Sequence, residues 1–366
     1  MSAATPSPSS HREIAQLERL RRAVAPSRGV MIKRVAVLSL LAICVYVLGP
    51  SVLATLDAWP QVQQISWLWL IAMGAAQIAA NASLIWLQAL AMRSSSWFAI
   101  TTAELSGGAV SRALPGGSAA AAGIQYSMLV RAGVPAAAVA SGLTAASLLT
   151  LATVFVLPVV SIPVLIAGGT VPNGLADAAW LGLAIFAAMV AIGWWVLGSD
   201  RPLVTAGRAV ERIVARVRPK RPLEPGLPQR LIAERDDLVR ALGSKALYAI
   251  VASLGRWMFD YLTLLAALTA VGANPNPVLV LLAYAISQML ASVPITPGGL
   301  GIVEAGLVAT LALAGISGAD ALVATFAYRL FSYWLPMPVG LGSWILFRHR
   351  YPPNGNETGD TVVVDA

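Results

Sequence analysis

The chain has 366 residues, of which 57% are hydrophobic and 11% charged, and 25 Lys and Arg against 17 Asp and Glu leave a formal charge of +8. A mean hydropathy of +0.73 is too apolar for a soluble surface, so the composition excludes a water-soluble globular protein and points to an all-α integral membrane protein. Cys44 is the single cysteine, and His11 and His349 lie in the two tails, which excludes a disulfide framework and a Cys/His metal site.

In chain order, residues 1–34 (with HREIAQLERLRR and MIKR) form a basic tail, and no small-residue cleavage site follows the first apolar run. That run, about 35–53, is therefore predicted to be a retained span. A bilayer core of ~30 Å needs roughly 20 residues of helix. Six stretches of the membrane domain, 35–347, meet this length: about 35–53, 66–91, 135–166, 177–198, 245–271 and 321–347. Two more, about 96–131 and 276–316, are apolar but interrupted in the middle.

The placement of positive charge sets orientation. Lys33, Arg34, Arg93, Arg131, Arg348 and Arg350 flank span ends that belong on the cytoplasmic side, as does the basic loop 199–244. The connections 56–64, 168–177 and 271–277 lack Lys and Arg and fit the outside. Both termini, including the tail 348–366, are then cytoplasmic. The interrupted stretches each start and finish on one side, as re-entrant hairpins or as pairs of crossings; their broken middles favour hairpins.

Within the basic loop, VTAGRAVERIVARVRPKR has two readings: an amphipathic helix with arginines toward lipid phosphates, or positive charge that only fixes orientation. Nucleic acid is a poor partner, since no folded soluble domain is predicted to present these charges.

The two broken stretches resemble each other. At an offset of 182 residues, Pro115, Gly116, Gly117, Leu129, Ala132 and Gly133 face Pro297, Gly298, Gly299, Leu311, Ala314 and Gly315. The first hairpin opens inward and the second outward, so units of about 66–166 and 245–347 form an inverted-topology repeat. Paired Gly/Pro-interrupted segments of this kind point to a transporter site near the bilayer midplane.

Chemistry is expected at the breaks. Pro294 and Pro297 remove donors and the glycines permit a reversal, and backbone freed there must be covered by protein or water. Half-helices starting after Gly117 and Gly299 would aim their N-termini at an anion such as a phosphate. Intramembrane charges mark sites or pairs by default. Glu304 is expected one to two turns into its half-helix, with Arg329 as candidate partner some two turns into the last span. Glu104 and Arg112 precede the first break, and Arg112, without an obvious partner, is the candidate for an anionic head group. Arg256 and Asp260, spaced i,i+4, share a helix face, as a structural ion pair or a functional one. Tryptophans near span ends, among them Trp67, Trp69, Trp180 and Trp344, read as interfacial anchors.

PITPGGLGIVEAGL, followed by the arginine of AYRLFSYW, resembles the transmembrane-region family of bacterial lysylphosphatidylglycerol synthase/flippase proteins. The motif is carried by Pro294, Pro297, Gly298, Gly299, Gly301, Glu304 and Arg329. LPGG around Pro115 is similar to the first-half counterpart, but Ala122 stands where an acid would face Glu304. The resemblance implies lipid chemistry, a bacterial inner-membrane location and, since the tail after Phe347 is too short for an aminoacyl-transferase domain, a stand-alone membrane unit. A lipid translocase without cofactor, working on anionic phospholipids, is the leading expectation. With no G-x-x-x-x-G-K-[ST] motif, its driving force would be an ion gradient, the membrane potential or the lipid gradient. A non-transporting membrane partner subunit is the alternative; a homo-oligomer or a membrane partner is open in either reading. A membrane-embedded lipid-modifying enzyme fits less well, since no nucleophile–base constellation is evident.

Overall fold

The computed structural model describes residues 65–114, 117–160, part of 180–198, 199–217, 226–243, 245–291 and 299–352, all within one compact unit, Ser51–Ala366. Among the described residues every regular element is helical and there is no strand. The basic tail, the predicted span 35–53 with Cys44, most of 177–198, the tail after 352, and Pro115, Gly116, Pro294, Pro297 and Gly298 lie outside the described residues.

The predicted span 66–91 is helix α1, Trp67–Met92. It ends where Arg93 turns left-handed at φ 50° and its N–H reaches back to Leu90, an αL termination. The first interrupted stretch divides into α2, Trp97–Ala113, and α3, Gly117–Arg131. At the break Leu114 is extended, and a Cβ on Gly117 would stand 2.8 Å from the carbonyl oxygens of Val110 and Ser111. Only glycine allows the chain to turn that closely on the helix it has just left.

Helix α4 covers Ala136–Val154 and is followed by a helical turn at Leu157–Val160. The basic loop contains an antiparallel pair, α5 (Arg201–Val217) and α6 (Leu227–Leu242). Glu211 accepts the N–H groups of Gly226 and Leu227 at 3.2 and 3.0 Å, and Arg208, Arg212 and Arg216 are exposed.

Helix α7, Ala246–Ala270, matches the predicted span 245–271. The second interrupted stretch divides into α8, Pro277–Ala291, and α9, Ile302–Leu313. The last span is longer than predicted. Ser317 accepts the Asp320 N–H and starts α10, Gly318–Arg329, which passes through a π-helical turn, Leu330–Trp334, into α11, Pro336–Arg350.

Among the described residues, four segments are long and apolar enough to cross a membrane: α1, α4, α7 and the continuous Gly318–Arg350. Between 22% and 39% of their most apolar windows is buried inside the protein. Most of that apolar surface therefore faces outward, as in Leu68, Ile71, Ile78, Leu247 and Val251, an arrangement that suits hydrocarbon and not water. Trp67, Trp180 and Trp344 are likewise exposed.

Helices α1 and α7 pack against each other as the central pair. They run antiparallel: Gln77 meets Asp260, Ser83 lies against Gly255, and the Trp86 ring meets Tyr248. Helix α2 packs on both α3 and α11. Its contact with α11 is close because Gly340 carries no side chain; a Cβ there would collide with the Leu105 carbonyl and the Ala109 methyl. Gly340→Val should therefore lower stability by about 1–3 kcal/mol, read as a lower thermal midpoint in detergent. Gly342→Val, where a Cβ meets nothing within 4 Å, should leave that midpoint unchanged.

Candidate functional site

Polar residues recur along one side of α1: Gln77, Asn81 and Gln88, at spacings that keep them on one helix face. Two buried networks and one cavity are built on that face.

The deeper network surrounds Asp260. Its Oδ1 accepts Gln77 Nε2 at 2.6 Å, and its Oδ2 accepts the hydroxyls of Tyr284 at 2.6 Å and Tyr328 at 2.7 Å and the amide of Gln288 at 3.1 Å. Gln288 also donates to the Tyr328 oxygen at 3.0 Å. Asp260 is 2% exposed, so the protein must replace the water its carboxylate has lost. It does so with neutral donors from α1, α8 and α10. Arg256, one turn earlier on α7, lies 3.4 Å from Oδ1. Its Nη1 is buried without a hydrogen-bond partner, and the guanidinium stands 5.4 Å from the Trp257 ring centroid. The i,i+4 pair thus forms as an ion pair, and the hydrogen bonds to the carboxylate come from elsewhere.

The second network surrounds Glu104 on α2. Gln88 and Gln125 both donate to its Oε2, at 2.5 and 3.0 Å. Gly107 makes this possible, because a Cβ there would lie within 3 Å of the Gln125 side chain. At the next position a Cβ on Gly108 would come 2.8 Å from Arg112 Nη1. The Gly-Gly step of α2 thereby gives space to two polar side chains that would otherwise be displaced.

Between these networks lies a cavity of about 480 Å³ whose charged lining residues are Glu104, Arg112 and Arg256. Asn81, Gln88, Ser111, Gln125 and Thr150 add polar groups, and Trp257 and Leu143 add apolar ones. Ser118 and Ala122 of α3 and Ser147 and Leu151 of α4 also line it and are themselves exposed, so the cavity opens sideways between α3 and α4. An apolar groove of about 610 Å³ runs along α1, α2 and α11 and shares Asn81 with the cavity.

Glu304 and Arg329 form a separate centre that does not line this cavity. Arg329 Nε donates to Glu304 Oε1 at 2.6 Å. Glu304 sits in the first turn of α9, earlier than the expected one to two turns, because Gly299 and Gly301 are both left-handed, at φ 74° and 79°, and hold the chain out of the helix until Ile302. At that position its Oε2 accepts the Gly301 N–H at 2.6 Å, as an acidic residue near a helix start does. Arg329 is the last residue of α10, about 16 Å along it at 1.5 Å per residue, deeper than the two turns expected.

Tyr333 joins the two centres. Its ring lies 4.8 Å from the Arg329 guanidinium, and its hydroxyl donates to the Arg112 carbonyl oxygen at 2.7 Å. It stands in the π-helical turn, a distortion that is frequent at functional positions.

The charged residues singled out in the sequence thus fall into two groups: Glu104, Arg112, Arg256 and Asp260 at or behind the cavity, Glu304 and Arg329 at the second break. Gly117 begins α3 and Gly299 precedes α9. The motif members Pro115, Gly116, Pro294, Pro297 and Gly298 lie outside the described residues. Sequence reasoning missed Gln77, Gln88, Gln125, Tyr284, Gln288, Tyr328 and Tyr333. The spacing of Gln77, Asn81 and Gln88 within an apolar span was a usable signal; the tyrosines gave none, since isolated Tyr in a span also reads as an interfacial residue.

A charge-lined cavity inside a bundle of outward-apolar, membrane-length helices defines a polytopic membrane protein with an internal polar site. The chain belongs to the family described as lysylphosphatidylglycerol synthase TM region, whose pattern matches residues 31–340. It is also similar to UPF0104 membrane proteins of Methanothermobacter thermautotrophicus. One match is 36% identical over 89 residues, covering 24% of this chain and 25% of the relative. Another is 24% identical over 149 residues, covering 41% of each. The chain thus spans about a quarter to two fifths of the length of the curated relatives it matches. No solved structure matches it.

Tyr328→Phe removes one donor from the buried Asp260 and the acceptor of Gln288. It should cost about 1–3 kcal/mol and lower the thermal midpoint of the purified protein while its helical circular dichroism is retained.

Proposed function

We propose that this protein is a lipid translocase of the cytoplasmic membrane, with both termini on the cytoplasmic side, that receives an anionic phospholipid head group in the cavity at Arg112. The observation that carries this reading is an arginine on a polar, sideways-open cavity inside a bundle whose outer surface is apolar. A charged group there is costly in a membrane unless it serves a ligand or a path. The neighbouring apolar groove, which shares Asn81 with the cavity, offers hydrocarbon chains a place beside a head group. Family membership supports lipid as the substrate class.

The chain works as an inverted repeat in this reading. At the offset of 182 residues seen in the sequence, the start of α4 at Ala136 falls on the start of α10 at Gly318. The repeated Ala-Gly pair is explained by helix termination: Gly133 at φ 88° and Gly315 at φ 90° close α3 and α9. Helix pairs α2–α3 and α8–α9 are then re-entrant hairpins of opposite direction. Glu304 and Arg329 form a switchable pair, and Tyr333 passes its state to the first break through the Arg112 carbonyl. The protein is a carrier and not an enzyme, and its driving force is a gradient.

Reconstituted in liposomes, the protein should move labelled anionic phospholipid between leaflets, and Arg112→Ala should slow that movement at least tenfold, in line with about 1.5–3 kcal/mol for a hydrogen bond to a charged group. No movement by folded wild-type protein would sink the reading in favour of a partner subunit. Glu304→Gln and Arg329→Met should each impair movement and stability. Their combination should restore stability, because no unpaired buried charge is left, but not movement.

A further inference from the structure

An arginine next to an aspartate in a membrane is ordinarily explained as a counter-ion. For Arg256 that explanation is incomplete. The carboxylate of Asp260 already receives four hydrogen bonds from Gln77, Tyr284, Tyr328 and Gln288. Arg256 approaches it only to 3.4 Å, and its buried Nη1 is left without a hydrogen-bond partner. A guanidinium carries five N–H donors in a fixed fork, and leaving buried donors unmade is costly. That Nη1 is the atom facing Asp260 Oδ1; the guanidinium has further donors, and Arg256 lines the cavity that Arg112 also lines.

Two guanidinium groups therefore line one cavity of about 480 Å³. The carboxylate that accompanies them there, Glu104, has one oxygen already taken by two glutamine amides. Two like charges in a low-dielectric space repel, and an oxyanion between them relieves that repulsion while filling both forks. Trp257 supports Arg256 from the side, and the Gly108 position leaves room for the Arg112 head.

We infer that Arg256 is a ligand-binding residue, and that Arg112 and Arg256 together grip a phosphate group, with Asp260 and its four donors acting as the fixed base that orients Arg256. The inference rests on the reading of this cavity as a head-group site and deepens it, since it names the second arm and the group that is held. The phosphate is that of a lipid head group or of the free anion, and the experiment separates the two.

Binding is measured by titration calorimetry on the full-length protein in detergent, using dihexanoyl phosphatidic acid, inorganic phosphate, and dihexanoylglycerol as the phosphate-free comparison. The wild type should bind phosphatidic acid and not dihexanoylglycerol. Arg256→Met combined with Asp260→Asn removes both members of the pair and leaves no buried charge. Provided its helical circular dichroism is retained, it should bind phosphatidic acid about 30-fold more weakly, the loss expected for a charge-assisted contact. Wild-type affinity in that double variant would overturn the inference, since Arg256 would then be only the counter-ion of Asp260. Should the double variant fail to fold, Arg256→Lys keeps the charge beside Asp260 but not the fork. It should weaken binding about tenfold at unchanged stability, and unchanged affinity would overturn the inference equally. Equal binding of phosphatidic acid and dihexanoylglycerol, or of neither probe nor phosphate, overturns it as well. Binding of inorganic phosphate alone, lost in the same variants, supports the two-arginine grip and assigns it to the free anion. Absence of lipid movement in liposomes by a protein that binds phosphatidic acid would count against the transport reading only.

Discussion

A carboxylate taken out of water must be given its hydrogen bonds by the protein, and Asp260 obtains them from three other helices. Gln77 comes from α1, Tyr284 and Gln288 from α8, and Tyr328 from α10. Helices in hydrocarbon gain little from hydrophobic burial against one another. A buried acid that loses free energy unless all four donors arrive together is therefore a strong determinant of how these helices assemble. Arg256 adds its charge on the Oδ1 side, with Nη1 3.4 Å from the carboxylate, and also stands on the cavity wall.

The same economy of polar groups governs the breaks in the membrane helices. Chain that leaves helical geometry at depth exposes backbone groups that lipid cannot bond. At the second break, Glu304 accepts the Gly301 N–H with one oxygen and binds Arg329 with the other, so a single carboxylate serves the helix start and the ion pair. Tyr333 then connects this centre to the carbonyl of Arg112, beside the first break. A shift of the π-helical turn that carries Tyr333 would be felt at both centres, because its ring and its hydroxyl are each engaged with a different one.

Membership of the lysylphosphatidylglycerol synthase TM region family fits a lipid-related membrane role, and in the proposed reading the cavity is where a head group is received. The charged lining sits beside an apolar groove, with Asn81 common to both. Amphiphilic ligands require this juxtaposition of surfaces, and neither surface alone would distinguish a lipid from a free ion or from a greasy molecule without a head group.

Much of the architecture was legible in the sequence because hydrocarbon imposes length and apolarity on every crossing segment. The spans at 66–91 and 245–271 are helices within a residue or two, and the interrupted stretches are each two helices, since glycine at 117 and at 299 and 301 permits chain geometry that other residues resist. The charged residues of the site were legible for the same reason: an ionisable group in an apolar run is costly and stands out. What the sequence could not supply was which charges share a space. Arg112 and Arg256 are far apart along the chain, and only the packing of α2 and α7 around α1 puts them on one cavity while leaving Glu304 and Arg329 outside it. Nor could it supply the neutral donors, because glutamine and tyrosine are ordinary in any span until a folded neighbour gives them a carboxylate to bond. Composition and periodicity determined that this chain is a membrane bundle with broken helices; the tertiary structure decided where its charges meet, since hydrogen bonds between distant helices depend on distances that no local pattern encodes.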